Sequence, residues 1–238
     1  MRFSCRVGVV IPALNEEQAI ARVLADIPAW IDQIVVADNG STDRTRETAR
    51  ASGADVVCEP ERGYGAACQT GLKRLENIDI VVFLDGDYSD RPKEMALIVD
   101  PIAKGQAEMI IGSRVMGTAE PGALLTHQRF GNWLACALMR WFWNTRHTDL
   151  GPFRAIKADA LKDLDMRDRA FGWTVEMQIK AARNGLTTRD VAVSYFPRIG
   201  TSKISGTVKG TILAGTTIIG VIFKSAFLSY KNDRRHPA

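Results

Sequence analysis

Short β-branched runs alternate with stretches of helical period through the first half of the chain. Residues 7–11 form an apolar run closed by Pro12, and Ile20, Val23, Leu24 and Ile27 then recur at three- and four-residue spacing. Further strands are predicted over 34–37, 54–57, 78–84 and 107–111. Helices are predicted between them, over 42–52, over 65–76 and after Pro92, a residue suited to a first helical turn. Strands nearly continuous in Val and Ile are buried on both faces. The pattern therefore predicts an α/β fold with a mostly parallel sheet flanked by helices. In such sheets ligands bind beyond the carboxyl ends of the strands. The polar segments 12–16, 38–43 and 85–87 all fall there.

Beyond residue 113 the alternation stops. Residues 117–122 read as a turn-rich loop, 173–184 as a helix ended by Gly185, 187–196 as a strand and 209–230 as a last helix. The helix predicted over 129–144 carries Phe130, Trp133, Leu134, Ala137, Leu138, Trp141 and Phe142 on one stripe, with Met139 and Trp143 on the other side. Such a stripe suits a core helix. Three tryptophans flanked by Arg129, Arg140 and Arg146 equally suit a membrane interface. Residues 210–223 lack charge, but a helix of that length spans roughly 21 Å, short of the ~30 Å hydrocarbon core. It can lie in an interface without crossing it. No repeat and no linker divides the 238 residues, so one domain is expected.

Composition adds three constraints. With 46% apolar and 24% charged residues there is material for a large core. No uncharged apolar stretch reaches 18 residues and the N-terminus has no apolar targeting core, so a cytoplasmic protein without a membrane span is expected. Cys5, Cys58, Cys68 and Cys136 show no Cys-x-x-Cys spacing and read as reduced thiols. The net charge of +4 is entirely C-terminal: from Arg198 onward there are seven Lys/Arg against one acid, whereas the preceding residues carry 24 basic and 26 acidic groups. A basic end of this kind favours phosphate or an anionic membrane surface, or is a solvated tail.

The densest chemistry is Asp85-Gly86-Asp87, where an apolar strand stops in two carboxylates around a glycine. Two convergent carboxylates without thiols suit Mg²⁺ or Mn²⁺ with positions left open for phosphate oxygens. Asn15 and Glu16 open the first predicted helix, where an N-cap and a first-turn acid account for them without a ligand. Asp38 ends the second strand and either shapes the turn through Gly40 and Ser41 or accepts a proton from a nucleobase edge. Arg62-Gly63-Tyr64-Gly65, with Gly71 beyond, is a glycine-rich loop opening a helix that could admit a pyrophosphate. It lacks the Gly-Lys-Ser/Thr of a triphosphatase loop, and no Gly-x-Gly-x-x-Gly follows the first strand.

In this order, Pro-x-Leu-Asn-Glu at 12–16, Asp-Asn-Gly-Ser-Thr-Asp at 38–43, Arg-Gly-x-Gly at 62–65, Asp-Gly-Asp at 85–87 and Gly-Ser-Arg at 112–114, the chain resembles the family 2 glycosyltransferases with the GT-A (Rossmann-like) fold. Within them it is most similar to the polyprenyl-phosphate (dolichyl-phosphate) mannose or glucose synthases. Gly151-Pro-Phe-Arg154, Gly172-Trp-Thr-Val-Glu176-Met177 and the run 198–206 carry that likeness. The resemblance implies a nucleotide-sugar-binding half over 1–113, an acceptor half over 114–206 and a basic, interfacial helix over 207–238. It implies metal-dependent, inverting transfer of a hexose from a UDP- or GDP-linked sugar to a polyprenyl phosphate, by a peripheral enzyme on the inner face of the membrane, with no nucleic-acid partner. Pro12, Leu14, Asn15, Glu16, Asp38, Asn39, Gly65, Asp85, Gly86, Asp87 and Arg114 would then hold the sugar donor, with Asp85 and Asp87 on the metal. Arg114, Arg129, Arg198, Ser202 and Lys203 would hold phosphates, and Asp87, Arg129 and Glu176 would be catalytic.

Two departures stand out. Asn39 replaces the Asp frequent in the family, and Ser89 stands where related synthases often place Gln. A lipid phosphate is already an anion and needs no general base, whereas a glycan or small-molecule hydroxyl acceptor, the alternative, would need one, with Glu176 or Asp149 as the candidate. A nucleotidyltransferase is disfavoured, because Ala13–Glu16 stand where its glycine-rich basic signature would follow the first strand.

Overall fold

The computed structural model describes residues 1–200 and 208–233, with side chains over 1–200 and 213–228. Seven strands form one sheet: β1 (Val7–Ala13), β2 (Gln33–Asp38), β3 (Asp55–Cys58), β4 (Ile80–Phe83), β5 (Met109–Ser113), β6 (Arg154–Lys157) and β7 (Thr188–Ala192). Their order is β3-β2-β1-β4-β6-β5-β7. Only β6 runs antiparallel to its neighbours, with Phe83 opposite Arg154 and Ile111 opposite the same residue. The helices are α1 (Ile20–Ala25), α2 (Thr45–Ala51), α3 (Tyr64–Leu72), α4 (Met95–Ala103), α5 (Thr126–Trp143), α6 (Ala158–Asp163), α7 (Trp173–Arg183) and α8 (Val208–Asp233).

Alternation along the buried strands divides the core between the two faces of the sheet. Val9, Ile11, Ile80 and Val82 point to the side covered by α1 and α4; Val10, Val81 and Phe83 point to the side of α3, α6 and α7. A third cluster joins α5, α7 and α8 through Ala135, Met139, Val175, Ile179 and Ile222. Gly71 explains how α3 gets so close to the sheet. A Cβ there would lie 2.6 Å from a methyl of Val10, so this glycine serves packing and not a ligand.

The predicted parallel half is present, and its strands fall within two residues of the expected limits. Helix starts are less well matched. The second begins at Thr45 and not at 42, because the Asp43 carboxylate accepts the Thr45 N–H (3.0 Å) while Thr42 N–H goes to Asn15 Oδ1 (2.8 Å). The first begins at Ile20, after a turn in which Asn15 adopts φ 55°. Asn15 and Glu16 are therefore not its cap and first turn. Neither β6 nor α6 was expected: β6 has four residues with a charge at each end, a pattern without a strand signature. The stripe on α5 faces outward. Ala135, Cys136 and Met139 are its buried face, while Phe130, Trp133, Trp141 and Phe142 are exposed.

Candidate functional site

The carboxyl ends of β1, β2 and β4 open into one cleft of about 490 Å³, lined by Pro12, Ala13, Leu14, Glu16, Asn39, Asp85, Gly86 and Asp87. Tyr64 and Ala67 of α3, Ala170 and Phe171 before α7, Arg62, Gly63, Arg198 and Leu213 of α8 complete the wall. Strand polarity does this: β1 and β2 stop level with each other, Ala13 beside Asp38, β4 stops at Phe83 beside Val10, and the residues leaving all three turn over the same edge of the sheet.

Asp85 and Asp87 are both in the cleft, in unlike states. Asp87 Oδ1 accepts the Ser89 N–H (2.9 Å) and hydroxyl (2.6 Å), and its Oδ2 lies 3.1 Å from an Arg198 guanidinium nitrogen. Asp85 Oδ1 is buried with no donor in hydrogen-bond geometry, and the nearby Tyr64 hydroxyl only partly offsets the cost of its charge. Burial, and then the Asp87 charge, push Asp85 up to about 7. Asp90, three residues beyond Asp87, is buried with neither oxygen bonded, and burial followed by the Asp85 charge drives it well above the usual carboxylate range. An orphaned carboxylate oxygen beside a second carboxylate is a fitting donor set for a hard divalent cation. Among the described residues no group of three or more His, Cys, Asp or Glu is placed to hold a metal. Asp85 and Asp87 would hold such an ion together with phosphate oxygens and water.

Around this pair, polar side chains lock the turns. Asn39 donates to Glu59 O (3.2 Å) and Glu61 O (2.7 Å) and accepts the Gly63 N–H (2.8 Å). Asn15 binds the 38–43 turn, its side-chain oxygen accepting the Thr42 N–H (2.8 Å) and its own N–H going to Ser41 Oγ (2.9 Å). Asp38 is fully buried, accepts Gly40 and Ser41 N–H groups and does not line the cleft. The structure favours the turn-shaping role of Asp38 over base reading.

Several candidates are engaged by the protein itself or stand apart from the cleft lining. Gly63 and Gly65 are glycines because a Cβ on either would overlap the carbonyl oxygens of Arg169 and Asp168. The N–H groups of Gly65 and Ala66 donate to Ala170 O (3.1 Å) and Arg169 O (2.9 Å), so Gly65 has no amide to offer a pyrophosphate. Arg114 is clamped to buried Asp149 by two side-chain bonds of 2.9 and 2.7 Å and stacks on Tyr195. Burial opposes its charge, but Asp149 outweighs that and holds the guanidinium above its ordinary value. Neither Arg114 as a phosphate ligand nor Asp149 as a base lines the cleft. Glu176 accepts the N–H groups of Arg167 (3.1 Å) and Asp168 (2.7 Å) and pairs with Lys180 at 2.8 Å. It props the loop whose Ala170 and Phe171 wall the cleft, and its oxygens are engaged by these three partners. Arg129 sits on the exposed first turn of α5, outside the cleft lining. Ser202 and Lys203 fall outside the described residues.

Sequence reasoning missed Tyr64, Phe171 and Leu213 in the cleft wall, and the buried Asp90 outside its lining. Tyr64 is the variable position of Arg-Gly-x-Gly, a motif whose recognisable signal lies in its glycines. Leu213 reaches the cleft from a helix 126 residues past Asp87 in the chain, a proximity that no local pattern encodes.

The chain matches the Glycosyl transferase family 2 over residues 8–165. It is 38% identical over 213 residues to an uncharacterized glycosyltransferase of Mycobacterium tuberculosis, covering 87% of this chain and 94% of that one. To the dolichyl-phosphate hexose transferase of Haloferax volcanii it is 31% identical over 217 residues, 90% of this chain and 92% of the relative. Glucosyl-3-phosphoglycerate synthase from Mycobacterium tuberculosis, solved with Mn²⁺, UDP and glucosyl-3-phosphoglycerate, superposes with a TM-score of 0.76 at 24% identity, over 94% of this chain and 80% of that one. That likeness establishes the GT-A fold. By its sequence match and its sheet, the chain belongs to family 2 of the glycosyltransferases and is an enzyme of that class.

Proposed function

We propose that this enzyme transfers a hexose from a nucleoside-diphosphate sugar to a polyprenyl phosphate, with Mg²⁺ or Mn²⁺ at Asp85 and Asp87. The observation that carries the reading is the orphaned Asp85 carboxylate beside Asp87, at the end of a parallel strand and in a cleft walled by Arg62 and Arg198. When bound, the cation would supply Lewis-acid neutralisation of the leaving diphosphate. Arg198 adds a fixed positive charge on the same side, useful where charge develops in the transition state. Pro12, Ala13 and Leu14 offer an apolar shelf for the nucleoside, with the Asn39 lock fixing its far edge. A lipid-phosphate oxygen forms its bond to the anomeric carbon as the bond to the diphosphate breaks, with inversion.

A phosphate acceptor fits the carboxylates available. Among the described residues Glu16, Asp85 and Asp87 line the cleft, and Glu16 and Asp87 share Arg198. Asp149 and Glu176 are spent on protein partners and the reading assigns Asp85 and Asp87 to the cation, which leaves an alcohol only Glu16, already paired with Arg198, as a base in the cleft. The relative from Haloferax volcanii, named a dolichyl-phosphate hexose transferase, points the same way. The solved glucosyl-3-phosphoglycerate synthase supports the other reading, a small-molecule hydroxyl acceptor.

The surface supports a lipid substrate. α5 and α8 pack together, with Phe142 and Phe223 edge to face at 5.9 Å. Outward they present Trp133 and Phe130, each 61% exposed, Trp141 at 84%, and Phe227. No acidic residue occurs over 126–143 or 208–232. An aromatic face without carboxylates suits an anionic bilayer surface, and no helix among the described residues is long and apolar enough to cross it. Leu213 belongs both to α8 and to the cleft wall, linking that face to the site. The enzyme would thus act as a peripheral membrane protein.

The test is a panel of radiolabelled UDP- and GDP-sugars against polyprenyl phosphates and 3-phosphoglycerate, with and without Mn²⁺. A lipid-soluble product formed only with metal is expected. A water-soluble product alone, or full activity in chelator, would refute the reading.

A further inference from the structure

We propose that Arg198 is a built-in counter-ion that occupies the cation position at Asp87 and moves to the sugar donor's diphosphate when metal and nucleotide bind. The inference rests on the metal-dependent reading above and deepens it.

One guanidinium nitrogen of Arg198 lies 2.9 Å from Glu16 Oε1 and 3.1 Å from Asp87 Oδ2. Since Asp87 Oδ1 already accepts two bonds from Ser89, Oδ2 is the oxygen this carboxylate can turn to a cation, and Arg198 covers it. Two backbone bonds pin the segment bearing the arginine: Ile199 N–H to Asp87 O and Phe196 N–H to Ser89 O, both 2.9 Å. The main chain is therefore anchored to the same turn as the metal carboxylate, and only the side chain needs to swing. Its Nε is buried with no acceptor, so the present pose leaves one of its donors unsatisfied.

A divalent ion at Asp85 and Asp87 repels the guanidinium from Oδ2, and a diphosphate offers that planar fork a bidentate acceptor within the same cleft. Metal alone must displace the arginine with nowhere better for it to go. Metal with nucleotide displaces it onto the phosphates. The two ligands are thereby coupled, and the coupling is reciprocal.

The experiment measures Mn²⁺ affinity of the full chain by electron paramagnetic resonance, without nucleotide and with saturating UDP or GDP, after subtracting Mn²⁺–nucleotide complexes in solution. The wild-type protein should bind Mn²⁺ about tenfold or more tightly with the nucleotide than without it, within the usual range of coupling. In Arg198→Gln, Mn²⁺ alone should bind about tenfold tighter than to wild type, with the nucleotide effect reduced by a similar factor. Arg198→Lys, which keeps the charge, should bind Mn²⁺ alone as weakly as wild type. Equal or weaker Mn²⁺ binding by the glutamine variant, or no nucleotide effect in wild type, overturns the exchange while leaving the metal site intact. No Mn²⁺ binding to either protein with either nucleotide overturns the metal-dependent reading and the exchange with it.

Discussion

Two charged regions of this molecule look alike in the sequence and differ in the fold. One lies in the second half, where Arg114 with Asp149, Glu176 with Lys180 and His147 with Asp190 form pairs. Buried Arg154 joins them, donating to the carbonyl oxygens of Leu150, Gly151 and Thr174. Every one of these side chains has a protein partner. The other region, at the end of β4, holds Asp85 and Asp90 without donors, and Asp87 and Glu16 share one arginine. Saturated charges build the scaffold. Unsatisfied ones in a cleft cost stability and are retained where a ligand completes them.

The sharpest way to break that contrast is Asp87→Asn. It removes the charge a cation needs while keeping the size and the Ser89 contacts. If the region at the end of β4 is functional, sugar transfer should fall by about 10³-fold, with the melting temperature nearly unchanged. Transfer within tenfold of wild type would show the pair to be dispensable.

Asp149→Asn probes the other region with the opposite expectation. Breaking a buried ion pair on one side costs about 3–5 kcal/mol, because Arg114 loses its counter-charge. At about 2–4 °C per kcal/mol for a chain of this size, the melting temperature should drop by roughly 10 °C. Thermal denaturation decides it; a shift under about 3 °C would remove Asp149 from the scaffold.

Asp85→Asn tests the claim that the orphaned carboxylate is held at a cost. Its folded value, about 7, is above the ordinary carboxylate range, so ionisation is penalised in the folded state. Stability from this group is fully present below about pH 4 and is lost as pH rises through about 7. The asparagine variant should lack that decline and be more stable than wild type at pH 8 by an amount on the order of 1–3 kcal/mol, while losing activity. Urea unfolding at pH 5 and pH 8 measures both arms, and parallel pH dependence in the two proteins would contradict the assignment.

The contrast also explains what could be read before the fold was known. Local signals sufficed for the parallel half: β-branched runs marked β1 to β5, and Asp85-Gly86-Asp87 after an apolar strand marked the cleft. Saturation is invisible in sequence. Glu176 and Asp87 are both carboxylates in recognisable motifs, yet one is consumed by the N–H groups of Arg167 and Asp168 and the other faces the cleft. Gly65 looked like a phosphate loop because close backbone packing and anion binding both demand glycine. β6 escaped because its antiparallel pairing comes from β4 and β5, more than 40 residues away from it in sequence.

Glu176→Gln has the smallest expected effect and separates scaffold from catalysis most finely. Glutamine keeps one acceptor oxygen where the carboxylate has two, so of the N–H groups of Arg167 and Asp168 one weakens or faces an amide NH₂. A buried N–H left without an acceptor costs about 1–3 kcal/mol, and the ion pair to partly exposed Lys180 adds little. The loop it props carries Ala170 and Phe171 into the cleft wall, so a looser loop should raise the KM for the sugar donor a few-fold and leave kcat within about threefold, the pattern of lost uniform binding. A base would behave differently: kcat would collapse and its pH profile would lose the limb belonging to the deprotonated form. Steady-state kinetics from pH 5.5 to 8.5 on both proteins separates the two roles, since a propping carboxylate leaves the shape of the kcat profile where it was.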